Sequence, residues 1–252
     1  ISMNVDRFMM KEMLSLEAVG LYALAIKFAL LLTFLVSEPF FRAYGPFRFS
    51  ILGKENAGEL QALAVRYLVA TASLVALGIA LFMPEVLYLL AGAAYQSAYL
   101  YVPFLLAAGV VSAAAYCFET GILVKKKTEF LLYISLVTLA AKIALNFALI
   151  STFQVYGAAL AYFIASVVQA GLVNHYAQRL FPVAYPFWAM LRVALIAMAV
   201  YLSSTWIDYR SWAISIPVKL GLVAVFIGIL LLVDRELRLV VKRGYGRIRN
   251  KG

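Results

Sequence analysis

Residues 130–177 read FLLYISLVTLAAKIALNFALI, then STFQ, then VYGAALAYFIASVVQAGLVNHYA, and this stretch decides what kind of molecule the chain is. Two apolar runs, 130–150 and 155–177, are parted by the four uncharged residues 151–154. Each run has roughly the 20 residues that an α-helix, rising 1.5 Å per residue, needs to cross about 30 Å of hydrocarbon. Inside lipid no water is available to a peptide group, so every N–H and C=O must be paired within the segment, and each run is expected to be a helix. The pair reads as a hairpin of two membrane spans.

Outward from the hairpin, similar runs lie at 19–42, 67–91, 99–123, 187–206 and 213–233, and residues 1–15 read as the exit half of a further span. The chain opens at Ile1 inside that half-helix, so an amino-terminal part is expected to precede it. Composition agrees. The chain is 65% hydrophobic and 13% charged, with a mean hydropathy of +0.93, whereas a soluble domain has about 45–50% apolar and about 25% charged residues. The expectation is an all-α integral membrane protein, a polytopic helical bundle with seven complete spans.

The net charge of +10 does not point to nucleic acid, because the basic residues sit in short clusters between spans and not on a folded polar face. Their placement sets the orientation. Arg42, Arg48, Lys54 and Arg66, then Lys125, Lys126 and Lys127, then Arg179 and Arg192, fall on one side. The tail residues Arg235, Arg238, Lys242, Arg243, Arg247, Arg249 and Lys251 fall there too. Lys11 and Arg210 fall on the other. Since positive charge is retained in the cytoplasm, the carboxyl-terminal tail is expected to be cytoplasmic and the connection beside Lys11 to face outward. Trp188, Trp206 and Trp212, with Tyr95, Tyr99 and Tyr101, fall at span ends, where amphipathic rings anchor a helix at the headgroups. The basic tail is also of the kind that attracts anionic lipid.

Ionisable residues within spans cost on the order of 2.5–3.5 kcal/mol each at the centre on insertion scales, so each needs a reason. Lys27 and Lys142 lie near mid-depth; Asp6 and Arg7 are adjacent on the first half-helix; Glu38 and Glu119 lie nearer the cytoplasmic side. Asn146 is one turn from Lys142 on the same face. For the two lysines the readings are a buried ion pair or a hydrogen bond to backbone on one side, and a water-filled cavity on the other. Asp6 is the one acid at matching depth, and so the cavity is favoured. Glu38 is placed to pair with Arg42 one turn on, Lys219 to extend its amine to the outer boundary, and His175 and Cys117 to be structural. The stripe Gly157, Ala161, Ala165, Gln169 recurs every four residues and suits close helix packing. Pro39, Pro84 and Pro103 are expected to bend or break helices. A single cysteine excludes a disulfide framework. With one histidine, no phosphate-binding glycine loop and no metal-ligand spacing, an enzyme is not expected, and neither is a metal or cofactor.

The segment KIALNFALISTFQVYGAALAYFIAS, from Lys142, resembles a motif of bacterial polysaccharide-export flippases in the multidrug/oligosaccharidyl-lipid/polysaccharide exporter superfamily. Lys142, Leu145, Asn146, Leu149, Ile150, Gly157, Ala158, Ala159 and Ala161 carry the match. Ser151 stands where that motif has Pro and Gln154 where it has its first Gly, so the turn between the spans is expected to differ in shape. The opening VDRFMMKEMLSLEAVGLYALAIKFA is similar to the start of the second lobe of these proteins, through Asp6, Arg7, Phe8, Val19, Gly20, Tyr22, Ala25 and Lys27.

The resemblance implies the second lobe of a two-lobe, fourteen-helix transporter. Residues 1–178 would be the lobe, from the end of helix 7 to helix 12, 179–233 two additional transmembrane helices, and 234–252 a basic cytoplasmic tail. It implies translocation of an undecaprenyl-pyrophosphate-linked oligosaccharide across the cytoplasmic (inner) membrane of a bacterium or archaeon by alternating access, for cell-surface polysaccharide and lipopolysaccharide synthesis. The expected partners are that lipid-linked oligosaccharide, membrane lipids and an N-terminal lobe of the same protein. Arg7, Lys27, Lys142 and Asn146 would contact the substrate, cations suiting a pyrophosphate in a low-dielectric cavity, and Asp6, Glu38 and Glu119 would serve ion or proton coupling. Competing readings are a cation-coupled multidrug exporter of the same fold, whose cavity would favour acids, a membrane-embedded glycan polymerase or ligase, and a non-transporting scaffold whose intramembrane charges all pair off.

Overall fold

The computed structural model describes residues 2–207, 212–234 and 238. Among them there is helix and no strand, and six helices are long and apolar enough to cross a membrane. The order is α1 (Ser2–Met13), α2 (Leu16–Leu32), α3 (Glu38–Ser50), α4 (Ala57–Leu90), α5 (Val102–Phe118), α6 (Thr120–Val124), α7 (Glu129–Leu180), α8 (Phe187–Thr205) and α9 (Trp212–Val233). Two compact units divide the chain, 1–185 and 186–252, so the boundary falls a few residues after the expected 178, beyond the end of α7.

The longest helix contains the reason for the count. As one straight rod, the 52 residues of α7 would run about 78 Å and hold Phe130 and Tyr176 about 69 Å apart. Instead their rings stack with centroids 5.0 Å apart. Gln154, at φ 53° and ψ −128°, breaks the helix, and the chain turns back on itself there. α7 is therefore two legs, 129–153 and 155–180, each about 37 Å long and sufficient for one crossing. Counted this way the six long helices supply seven apolar spans. Gly157 follows from the same geometry: a Cβ on it would overlap the carbonyl of Leu149 on the other leg. Ala161 and Ala165 continue that buried small-residue face, while Gln169 is half-buried.

α1 and α2 form a second hairpin. Its turn is set by Ser15, whose hydroxyl accepts from the Ala18 N–H at 3.2 Å and caps α2. Between α2 and α3 the helix widens into a π turn, Thr33–Ser37, with the Glu38 N–H reaching the Thr33 carbonyl five residues back. The cause is Pro39, whose ring would strike the Leu35 carbonyl in a regular helix. Pro103 sits in the first turn of α5, where no N–H is missed, and Pro84 lies within α4. α6 ends on Lys126 in the left-handed conformation, with Lys127 N–H to Ile122 C=O and Lys126 N–H to Leu123 C=O, both 3.0 Å.

In unit 1, α5 lies at the centre and packs against α7, α4 and α2. Its buried Ala108, Ala113, Ala114 and Ala115, with Ala72, Ala76 and Ala80 of α4, let backbones approach closely. The two ends of the unit differ. At one end the Lys125–Lys127 turn lies close to the 51–56 turn, since Tyr44 of α3 bonds Thr120 of α6 (3.3 Å) and Phe41 stacks on Tyr116 (4.0 Å). At the other end a 3-10 segment, Ala93–Leu100, brings Tyr95 against Gly20, and Tyr101 meets Tyr156 edge-on at 4.8 Å. The first is the basic end and the second carries no Lys or Arg in its turns. This matches the alternation read from the loops.

Unit 2 is the α8–α9 pair. Trp188 and Trp206, at the two ends of α8, are exposed, as interfacial anchors are. Lys219 departs from expectation: only 3% of it is exposed, so its amine does not run along a lipid face to the boundary. Arg238 donates to the Leu231 carbonyl (2.7 Å) and the Leu232 carbonyl (2.6 Å), closing α9 with a cation at its negative end. The side chain of Trp212, and Arg210, Arg235, Lys242, Arg243, Arg247, Arg249 and Lys251, lie outside the described residues.

Candidate functional site

The two hairpins of unit 1 meet at a buried polar knot. Asn146 lies eight residues before the break at Gln154 and Tyr162 eight after it, so both legs bring them to one level, about 12 Å from the turn. Lys142 is one turn further along the first leg and on the same face as Asn146. On the other hairpin, Asp6 is about two turns from the end of α1 and Tyr22 about two turns from the start of α2, so the antiparallel pair presents them together. Asp6 is the centre. Its Oδ1 accepts from Asn146 Nδ2 at 2.7 Å, and its Oδ2 accepts from Lys142 Nζ at 2.7 Å and from the Tyr22 hydroxyl at 3.0 Å. The Lys142 ammonium also lies 4.3 Å from the centre of the Tyr162 ring, a cation–π contact.

Asp6 and Asn146 are 0% and Lys142 1% exposed. An ion pair taken out of water loses several kcal/mol of hydration per ion, and the loss is recovered only when the geometry is good and the remaining lone pairs are occupied. Both conditions hold at the carboxylate, where three donors are shared between two oxygens. The Asn146 amide is oriented by this need, because an ionised carboxylate can only accept. Two neighbouring atoms stay unspent: Asn146 Oδ1 and Arg7 Nε are buried without a hydrogen-bond partner.

The structure thus brings together three of the candidates from the sequence, Asp6, Lys142 and Asn146, with Arg7 beside them in α1. The ion pair, the less favoured of the two readings for Lys142, is the arrangement found. Its partner is the one acid named at that depth. Lys27 is separate: it is exposed about two-thirds of the way along α2. Glu38, itself half-buried, pairs with the open side chain of Arg42 at 3.6 Å, and Glu119 is half-buried at the basic end. Cys117 is buried and His175 exposed. Among the described residues no group of three or more His, Cys, Asp or Glu could hold a metal ion.

Two contributors were missed by sequence reasoning. In the sequence Tyr22 stands out only as a residue of the resembling motif and Tyr162 not at all, although the hydroxyl of the first and the ring of the second complete the knot. A second buried charge was missed as well. Arg48, near the end of α3, is 7% exposed, and its guanidinium carbon lies 5.9, 5.1 and 5.2 Å from the ring centres of Tyr44, Phe49 and Tyr116. Its run of basic neighbours gave it the look of a loop charge; the aromatic spacing Tyr44, Arg48, Phe49 was the available signal.

No protein-family model matches the chain, no curated protein matches it, and no solved structure matches it.

Proposed function

We propose that this chain is one lobe of a membrane transporter that moves an undecaprenyl-pyrophosphate-linked oligosaccharide across the cytoplasmic membrane for cell-surface polysaccharide synthesis. The observation that carries the reading is Lys27: an exposed cation about two-thirds of the way along the largely apolar α2, with no ion pair to an acid among the described residues. A lysine turned to hydrocarbon at that depth costs on the order of 2.5–3.5 kcal/mol. The face of α2 that bears it therefore suits water or an anion, and a pyrophosphate is such an anion. Lys142 and Asn146 then act through Asp6 as positioning residues that hold α1, α2 and the α7 hairpin as one body, which rocking of a lobe requires. Arg7, with a buried nitrogen unspent, lies beside the knot.

A cation-coupled drug exporter of the same fold is the alternative, and it needs an unpaired acid on the same face. In this lobe Asp6 is fully engaged and Glu38 is held by Arg42, and the unbridged Glu119 lies at the basic end away from mid-span, so the sign of the exposed mid-span charge favours an anionic cargo. The test uses the intact protein. Lys27→Ala is expected to lower glycolipid export in a deletion strain about 10-fold or more at unchanged membrane abundance, with Lys27→Arg retaining most of it, one charged contact being worth roughly 1.5–3 kcal/mol. Full export by Lys27→Ala overturns the reading. Lys142→Ala is a poorer probe, because it also strands the Asp6 carboxylate.

A further inference from the structure

Arg48 has more hydrogen-bonding capacity than its surroundings use. A guanidinium carries five N–H donors directed in its plane. The rings of Tyr44, Phe49 and Tyr116 answer its charge, but a π face does little for in-plane donors. Nε and Nη1 are buried and have no hydrogen-bond partner, and no carboxylate among the described residues lies within ion-pair distance. Glu119 is near enough for the Arg48 charge to reach it, yet forms no bridge. Buried, unspent donors on a permanent cation are costly and mark a place where an acceptor is missing.

The placement narrows what that acceptor is. Arg48 lies at the basic end of unit 1, where the α3 helix gives way to the 51–56 turn, with exposed Lys54, Lys125 and Lys126 at the same end. Phe49, the ring nearest the guanidinium, is 47% exposed, so one wall of the box is a single side chain with apolar surface on its outer side. A ligand matching this combination has an anionic, fork-compatible head and an apolar body. A carboxylate side chain lacks the body, and inorganic phosphate lacks it too.

We propose that Arg48 is the centre of a binding site for the phosphate group of a membrane lipid, with Tyr44 and Tyr116 fixing the guanidinium and Phe49 moving aside to pack on the acyl chain. Phosphate oxygens accept in parallel from a guanidinium fork, which neither a lone ammonium nor the aromatic walls can replace. The site lies among residues separate from the Asp6 knot and from Lys27, and it stands whether or not the chain transports a glycolipid.

The test is native mass spectrometry of the full chain in detergent, titrated with dioleoyl phosphatidic acid, with dioleoylglycerol as the phosphate-free lipid and inorganic phosphate as the lipid-free anion. Arg48→Gln is expected to weaken phosphatidic acid binding about 10-fold or more and to leave dioleoylglycerol unchanged. Lys54→Gln is expected to change it no more than about 2-fold, as exposed charges do. Arg48→Lys keeps the charge and loses the fork; it is expected to weaken binding several-fold and carries the test if Arg48→Gln does not fold. Unchanged affinity in the Arg48 variants overturns the site. An equal loss in Lys54→Gln overturns it in favour of diffuse surface attraction, and displacement of the lipid by equimolar inorganic phosphate overturns the lipid assignment.

Discussion

Removing one member of the Asp6–Lys142 pair leaves the other charged and buried without its ion-pair partner. Such a change costs about 3–5 kcal/mol, while replacing both members together is close to neutral. Asp6→Asn and Lys142→Met are each expected to lower the thermal midpoint in detergent strongly, and the double variant to recover most of the loss. Additive losses would mean that the two side chains are not coupled. Depth along the spans pointed to Asp6 as the only acid level with Lys142, so the possibility of the pair was legible. Its realisation was not, because it depends on the register between two hairpins, and the hydroxyl of Tyr22 and the ring of Tyr162 enter only once that register is set. Arg48 was hidden for a different reason: on a line of sequence, a buried guanidinium among basic loop residues looks like any other topology charge.

Between the elements, the turn at Gln154 is where sequence and backbone disagree most. The conformation at φ 53° is one that glycine adopts freely and other residues hold only under strain of about 1–3 kcal/mol. Gln154→Gly is expected to stabilise the lobe by about 1 kcal/mol, read as a higher thermal midpoint, and no rise contradicts the strained turn. Gly157→Ala is expected to do the reverse, since the added methyl meets the Leu149 carbonyl. The hairpin itself is tested by Phe130→Cys with Tyr176→Cys, which should crosslink within one chain under oxidation; a continuous α7 would keep them about 69 Å apart. The seven apolar runs were legible because a crossing demands about 20 apolar residues whatever its neighbours do. A disturbance at Pro39 was legible too, though not its form as a π turn, whereas the break between α5 and α6 carries no proline to announce it.

Across the whole molecule, basic turns gather at one end of unit 1, the other end has turns without Lys or Arg, and mid-span charge is sorted into two kinds. Asp6 and Lys142 cancel inside unit 1, and Lys27 remains exposed. On the proposed reading, that division is what would separate a transporter lobe with an anionic cargo from a scaffold whose charges all pair off. The single native cysteine, Cys117, is buried, so Lys27→Cys offers one accessible thiol with little background. If the face of α2 borders water, a membrane-impermeant maleimide should label Lys27→Cys, while a cysteine at exposed Phe147 should stay unlabelled among lipid. The most direct measurement is translocation of an undecaprenyl-pyrophosphate-linked oligosaccharide in proteoliposomes holding the intact protein, wild type against Lys27→Ala and Lys27→Arg. The account predicts a loss of about 10-fold or more for Ala and near-normal rates for Arg. Equal rates for all three, at equal protein, would contradict it.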